Sequence, residues 1–93
     1  MNSYESMIVI SANLQESDTQ LVNQSITNFI KEIGGEMIET EEWGKKTLAY
    51  EILKQKEGYY FVNYFKLAAD KMLDLDRQYR LNENIIRHNI IKK

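Results

Sequence analysis

The sequence contains no cysteine and no proline, and it has only one histidine and four glycines among 93 residues. The absence of cysteine excludes a disulfide framework and a thiolate metal site, and it fits a reducing compartment such as the cytosol. Without proline, strands and helices can continue unbroken. A chain of this length is too short for two ordinary domains, so we predict one domain over residues 1–93.

Long apolar runs are also missing. No stretch approaches the roughly 20 residues that a membrane-spanning helix needs. The N-terminus lacks the basic and apolar regions of a signal peptide. Apolar residues nevertheless make up 43% of the chain, which is enough for one core. We therefore expect a globular chain with no membrane partner.

The charge is weak overall but unevenly distributed, with a net value of −2. Residues 1–42 hold one base, Lys31, against eight acids, and residues 43–93 hold eleven bases against six acids, so the two parts carry −7 and +5. Such a surface presents one region suited to an anionic partner. A solvated surface that happens to be uneven explains the charge alone equally well.

The periodicity of the apolar residues predicts the order strand, helix, strand, strand, helix, strand. The predicted elements cover Tyr4–Ser11, Ser17–Ile33, Glu36–Lys54, Tyr59–Leu67, Asp70–Leu81 and Ile85–Lys92. Ser17–Gln20 is predicted to form a capping box, and Gly34-Gly35 to end the first helix. Two βαβ crossovers around a hairpin make a ferredoxin-like βαββαβ fold of the α+β class, with a four-stranded antiparallel sheet and both helices on one face. The bare face is where we expect function.

The hairpin carries the most informative stretch, Trp43–Ile52. Leu48, Tyr50 and Ile52 alternate with polar residues, so they are predicted to anchor the second strand in the core. The alternation changes phase at Gly44, which predicts a bulge or bend. A polar, glycine-containing loop is predicted over Lys54–Gly58.

Catalytic and metal-binding arrangements find no support. His88 lies alone in a predicted strand, and no Cys/His or Ser/His/Asp arrangement stands out. The acids of Glu36–Glu42 lack a nearby histidine or calcium-loop spacing, so they are read as a solvated strand face. We expect no enzymatic activity, no metal, no cofactor and no small-molecule substrate.

Basic residues beside aromatic ones favour nucleic-acid binding. Lys45 and Lys46 follow Trp43, and Lys54 and Lys56 lie at the far end of the same hairpin. Bases that flank an aromatic sheet suit phosphate neutralisation and base stacking. Glu57–Tyr64 also matches half of the RNP1 pattern of RNA-recognition motifs. An RRM-like module for single-stranded RNA that stacks bases on Tyr59 and Phe61 is therefore an alternative, as is a buried aromatic strand.

The whole chain resembles the family of ribosomal protein six of the bacterial small subunit. The residues that carry the resemblance are Tyr4-Glu5, Gly34-Gly35, Trp43–Lys46 with Leu48–Tyr50, Glu57–Tyr60, and Arg80–Glu83 with Ile85–His88. The resemblance implies a ferredoxin-like, non-catalytic constituent of the cytoplasmic ribosome. It implies binding to small-subunit ribosomal RNA together with the small basic ribosomal protein eighteen of the same subunit.

This reading assigns the charged residues of the hairpin and of the last strand to two partners. The acidic stretch is expected to face the basic protein, through Glu39, Glu41, Glu42 and Trp43. The bases expected at RNA phosphates are Lys45, Lys46, Lys54, Lys56, Arg87 and Lys92.

Overall fold

A computed structural model of the protein describes residues 1–93 and has the predicted order of elements. The elements are β1 (Asn2–Ser11), α1 (Glu16–Glu32), β2 (Glu36–Ile52), β3 (Gln55–Leu67), α2 (Met72–Leu81) and β4 (Ile85–Lys92). The strands form one antiparallel sheet in the order β2-β3-β1-β4. This topology confirms the ferredoxin-like fold. Neither helix is long and apolar enough to cross a membrane.

The core lies between the helices and one face of the sheet. Ile8 of β1 is paired with Phe61 of β3, and the side chains of both are buried on this face. Residues from both helices join them, so both helices cover the same face of the sheet. The core cluster consists of Tyr4, Ile8, Ile10, Ile26, Ile30, Phe61, Phe65, Leu67, Leu75 and Tyr79.

The start of α1 differs from the predicted capping box. The cap position is Gln15, whose side chain makes no capping hydrogen bond. The Thr19 hydroxyl donates to the Glu16 carbonyl at 2.6 Å, and Thr19 is fully buried. The predicted box at Ser17 is therefore wrong. The helix begins at Glu16, before the predicted cap, and Thr19 faces the interior.

The end of α1 is as predicted. The Gly34 amide donates to the Lys31 carbonyl at 3.1 Å, and the Gly35 amide donates to the Ile30 carbonyl at 2.8 Å. This pair of bonds is the Schellman arrangement, which needs a left-handed residue after the helix. Gly34 supplies it with a φ of 94°.

The β2–β3 hairpin is longer and tighter than predicted. Leu53 and Lys54 alone form the turn, both with positive φ, and β3 begins at Gln55. The predicted loop over Lys54–Gly58 is wrong, because Gly58 is a strand residue. A Cβ on Gly58 would lie 2.4 Å from Val9 Cγ1, so a close approach between strands, and not a turn, requires glycine there.

The end of the hairpin extends beyond β1, whose pairing with β3 stops at Ser11 and Gly58. Of the three predicted anchors in β2, Leu48 is buried and Ile52 is half-buried, whereas Tyr50 is 60% exposed. The prediction is therefore wrong for Tyr50. The pairing of β2 with β3 is irregular between Thr47 and Ile52, and this breaks the simple alternation that the sequence suggested.

Candidate nucleic-acid interface

The hairpin carries opposite charges at its two ends. Four acids precede a bulge in β2, where Trp43 is the extra residue between the pairs Glu42–Phe61 and Gly44–Tyr60. The bulge or bend predicted at Gly44 is therefore confirmed, and Gly44 has a φ of 81° there. The bases follow the bulge and continue around the turn into β3, at Lys45, Lys46, Lys54 and Lys56.

The acidic end is organised around Tyr64 on the helix-free face. One oxygen of Glu41, Oε1, accepts hydrogen bonds from the Trp43 indole at 3.2 Å and from the Tyr64 hydroxyl at 3.1 Å. Burial, then the hydrogen bond to Glu41, and then the charges of Glu41, Glu5 and Glu39 raise the pKa of Tyr64. Lys93 forms an ion pair with Glu5 at 3.0 Å and lies 6.0 Å from the centre of the Tyr64 ring, so Glu39 and Glu41 are the carboxylates without an ion pair beside Tyr64.

Glu42 lies apart from this group. It is paired with Phe61, whose side chain is in the helix-side core, and its carboxylate accepts from the Gln20 amide of α1 at 3.2 Å and 3.3 Å. The structure thus brings together three of the four predicted partner-protein residues, Glu39, Glu41 and Trp43. The fourth, Glu42, is turned toward α1.

The two neighbouring lysines also lie on different faces of β2. Lys45 Nζ is 5.9 Å from the centre of the Tyr59 ring, and Lys46 Nζ is 5.6 Å from the centre of the Trp43 ring. A cation over an aromatic face is attracted by the ring quadrupole. Each lysine is therefore held near the sheet while its side chain remains exposed.

Arg87 reaches the hairpin from the opposite edge of the sheet. Its guanidinium carbon is 5.6 Å from the centre of the Tyr50 ring, although β3 and β1 separate β4 from β2 in the sheet. The end of the hairpin must therefore fold over the helix-free face toward β4. Lys92 is paired with Tyr4 at the other end of β4, away from the turn that carries Lys54, so it is not part of this group.

Gln55 fixes the end of the hairpin to the body of the domain, a role that the sequence did not suggest. Its Oε1 accepts from the Ser11 hydroxyl at 3.1 Å and from the Ala12 amide at 3.0 Å. A glutamine in a polar segment gives no signal of such a contact, because its partners are more than 40 residues away in the chain.

The stacking platform predicted from the RNP1-like pattern is wrong. Phe61 is only 2% exposed and belongs to the core cluster, and Tyr59 packs against that cluster under Lys45. Both side chains lie on the face that the helices cover, so no base can stack on Phe61. No group of three or more histidine, cysteine or acidic side chains is arranged to hold a metal ion.

Comparison with known proteins identifies the family of this chain. The sequence model described as ribosomal protein S6 matches residues 3–92. The chain belongs to the ribosomal protein S6 family. The resemblance stated above is thereby confirmed.

Similar proteins match nearly the whole chain. The small ribosomal subunit protein bS6 of Caldanaerobacter subterraneus is 40% identical over 92 residues, which cover 99% of this chain and 97% of that protein. The bS6 protein of Clostridioides difficile is 39% identical, with 98% of each chain covered. The crystal structure of 30S ribosomal protein S6 from Thermotoga maritima superimposes with a TM-score of 0.94 at 31% identity, covering 99% of this chain and 87% of that one.

Membership gives the chain its general role. It is a structural constituent of the small ribosomal subunit, and ribosomes are cytoplasmic in bacteria. The ribosomal protein S6 family is generally structural and not enzymatic.

Proposed function

We propose that this chain, a single non-catalytic domain, binds small-subunit ribosomal RNA jointly with the small basic ribosomal protein eighteen. The observation that carries the proposal is the separation of charge along one hairpin, with Glu39 and Glu41 at one end and Lys54 and Lys56 at the other. One element can then contact a basic protein and an RNA backbone at the same time. No cofactor or small-molecule substrate is involved.

The basic end supports the RNA contact. Lys54, Lys56 and Arg87 are exposed, and none of them is in an ion pair within the chain. Each lysine or arginine that neutralises a phosphate releases counterions, so such binding weakens as salt rises. A chain with a net charge of −2 gains little from this effect alone, and a basic partner would supply the rest.

The acidic end supports the protein contact. Glu39 and Glu41 lie beside Trp43, which is 48% exposed. An exposed tryptophan beside carboxylates suits a basic partner, because the ring buries apolar area while the acids complement the charge. The two contacts use different ends of the sheet and need not compete.

A binding titration tests the proposal directly. Small-subunit ribosomal RNA is titrated with the chain alone, with protein eighteen alone and with both, at about 50 mM and about 200 mM salt. We expect weak binding by the chain alone, stronger binding with the partner, and loss of affinity at the higher salt. Tight binding that does not depend on the partner would contradict joint recognition, and no binding in any mixture would contradict RNA binding.

A further inference from the structure

Tyr50 has no role in the RNA contact described above, although it is exposed beside Arg87. Tyr50 is 60% exposed, and its ring has the guanidinium of Arg87 over it at 5.6 Å. We propose that this pair is a stacking site for one unpaired RNA base. The inference rests on the proposed function and adds the kind of nucleotide that the hairpin recognises.

Arg87 has no competing partner within the chain. The ion pairs of the protein join Arg80 and His88 to Asp76, and Lys93 to Glu5. No side-chain hydrogen bond uses the guanidinium of Arg87, so its contact with Tyr50 leaves its donors available. An arginine that lies over a ring and keeps free N–H groups can bind a phosphate or the edge of a base.

The pair is held by the sheet on the Arg87 side and by the turn on the Tyr50 side, since β2 is not regularly paired with β3 between Thr47 and Ile52. Arg87 is paired with Val9 of β1, which is 1% exposed. On the hairpin side, Gln55 is bonded to Ser11 and Ala12, which holds the β2–β3 turn near the end of β1. A stacking site needs this kind of preorganisation, because ordering a loop at the time of binding reduces affinity.

The chemistry of the pair favours an unpaired base over other ligands. A phenol ring and a guanidinium are both planar, and RNA-binding proteins stack unpaired bases on both kinds of surface. Bases inside a helix have neighbours on both faces and cannot stack on the protein. Lys54 and Lys56, at the adjoining turn, are exposed and can neutralise the flanking phosphates. An acidic side chain of a protein partner would need the charge of Arg87 but not the ring.

The first test uses two small probes of equal charge. Adenosine 5′-monophosphate and ribose 5-phosphate are added separately at millimolar concentration, and the Tyr50 ring protons are followed by NMR. We expect the nucleotide to shift these resonances upfield through its ring current, and the sugar phosphate to leave them unchanged. Equal shifts with both probes would mean phosphate binding only, and no shift with either would mean no site; both results overturn the proposal.

Variants connect the shifts to the pair. Arg87→Lys keeps the charge but loses the plane, and Tyr50→Leu keeps apolar bulk but loses the ring. Each should abolish the nucleotide-specific shifts at the site, followed on the ring protons of Tyr50 in the first variant and on the methyl protons of the new side chain in the second. Leu73→Ala, at an exposed position on α2, is the control and should leave the shifts in place. Persistence of the shifts in Arg87→Lys would overturn the part assigned to the guanidinium.

The second test uses ribosomal RNA with protein eighteen present, so that it separates this site from the proposed function. Loss of one stacked base corresponds to about 5- to 150-fold weaker binding, which we expect for Tyr50→Leu. If the wild-type chain binds and Tyr50→Leu binds equally well, the stacking site is wrong and the proposed function stands. If the wild-type chain does not bind, the proposed function itself fails. A loss in Arg87→Lys without a loss in Tyr50→Leu would instead indicate a bidentate contact of the guanidinium with a phosphate or a carboxylate, which needs no ring, and would overturn the stacking site.

Discussion

Tyr79 carries a hydroxyl group that lies in the core. Its oxygen is 2.6 Å from the Ser6 hydroxyl, and only 1% of the residue is exposed. Burial raises the pKa of Tyr79 to about 12, from an ordinary value of 10.0, against the opposing effect of the Ser6 hydrogen bond. Because the unfolded chain releases this proton first, the associated stability is complete below pH 10 and is lost as the pH rises toward 12.

The resulting prediction is a fall in the free energy of unfolding in that alkaline window. Urea denaturation at about pH 9 and at about pH 11 measures it. At about pH 9, the free energy of unfolding of Tyr79→Phe should be roughly 1–3 kcal/mol below that of the wild type, since Ser6 loses its hydrogen-bond partner. Between the two pH values it should fall less than that of the wild type. Parallel falls in the two proteins would show that another group causes the alkaline loss.

Asp76 joins α2 to β4 through two hydrogen bonds. His88 Nε2 donates to Oδ1 at 2.8 Å, and Arg80 Nε donates to Oδ2 at 2.7 Å. The bond from His88, and then that from Arg80, holds the pKa of Asp76 below its ordinary 3.8. A carboxyl whose pKa is lower in the folded chain than in the unfolded chain stabilises the fold at pH values above the unfolded pKa. This stability is lost as the pH falls through the folded pKa.

The effect is modest, because the Asp76 side chain is 34% exposed and solvent screens its charge. We expect Asp76→Asn to be less stable than the wild type at about pH 6, and the difference to shrink as the pH falls below 3.8. Thermal unfolding of both proteins across this range measures it. Asp74→Asn, an exposed neighbour in the first turn of α2, is the control. A difference that is independent of pH would mean that the amide disturbs packing instead.

At the scale of elements, two glycines in the hairpin serve different purposes. A Cβ at Gly58 would lie 2.4 Å from Val9 Cγ1 and 3.3 Å from the Ile10 carbonyl oxygen, so β1 and β3 would have to separate. A Cβ at Gly44 would meet nothing within 4 Å, but the residue has a φ of 81°. A side chain at Gly58 is therefore opposed by lack of space, and one at Gly44 by the backbone conformation.

We therefore expect Gly58→Ala to cost about 1–3 kcal/mol through overpacking, and Gly44→Ala to cost about 1–2 kcal/mol through left-handed strain. Urea denaturation of both variants gives the costs. Gly44→Asn, which tolerates a left-handed conformation better, should recover part of the second loss. A Gly58→Ala variant as stable as the wild type would refute the close approach to Val9.

The elements were largely predictable because each follows from local periodicity or from a local stop. Helical spacing and the glycine pair fixed α1, and alternation with an aromatic run fixed β3. The errors have nonlocal causes. Gly58 looked like a turn residue, but its requirement comes from Val9, which is distant in the chain. Tyr50 looked like a core anchor, but no β1 residue is paired with this end of the hairpin.

At the scale of the whole molecule, the two ends of the hairpin should be separable by charge reversal. Lys56→Glu is expected to weaken RNA binding of the protein pair, with little change in its protein–protein affinity, because Lys56 is exposed just after the turn, at the basic end of the hairpin. Lys71→Glu, an equal change at an exposed position before α2, is the control. RNA titration of both variants with protein eighteen present measures the effect. Equal affinities would mean that Lys56 contacts no phosphate.

Glu39→Lys should instead weaken the contact with protein eighteen. Affinity for protein eighteen, measured by calorimetry without RNA, should fall, because the substitution puts a like charge opposite a basic partner. Glu83→Lys, which lies between α2 and β4, makes the same change away from the hairpin. If both variants bind the partner as the wild type does, the acidic end is not the protein contact.

The residues of the candidate site were more predictable than their arrangement. The sequence itself indicated which bases and acids belong to the site. Their order along an extended strand also predicts that they are separated along β2. The approach of Arg87 to Tyr50 could not be predicted, because it depends on the hairpin folding across two intervening strands. The distance of Lys92 from the other bases could not be predicted either, because the arrangement of the strands decides which end of β4 lies near the turn.

The irregular pairing of β2 also affects the protein before it is assembled. β2 is a 17-residue strand at the edge of the sheet, and an uninterrupted edge of that length is a template for self-association. Its register shifts at Ile38 and Trp43, together with its acids, interrupt that template. The chain outside a ribosome should therefore resist self-association through this edge.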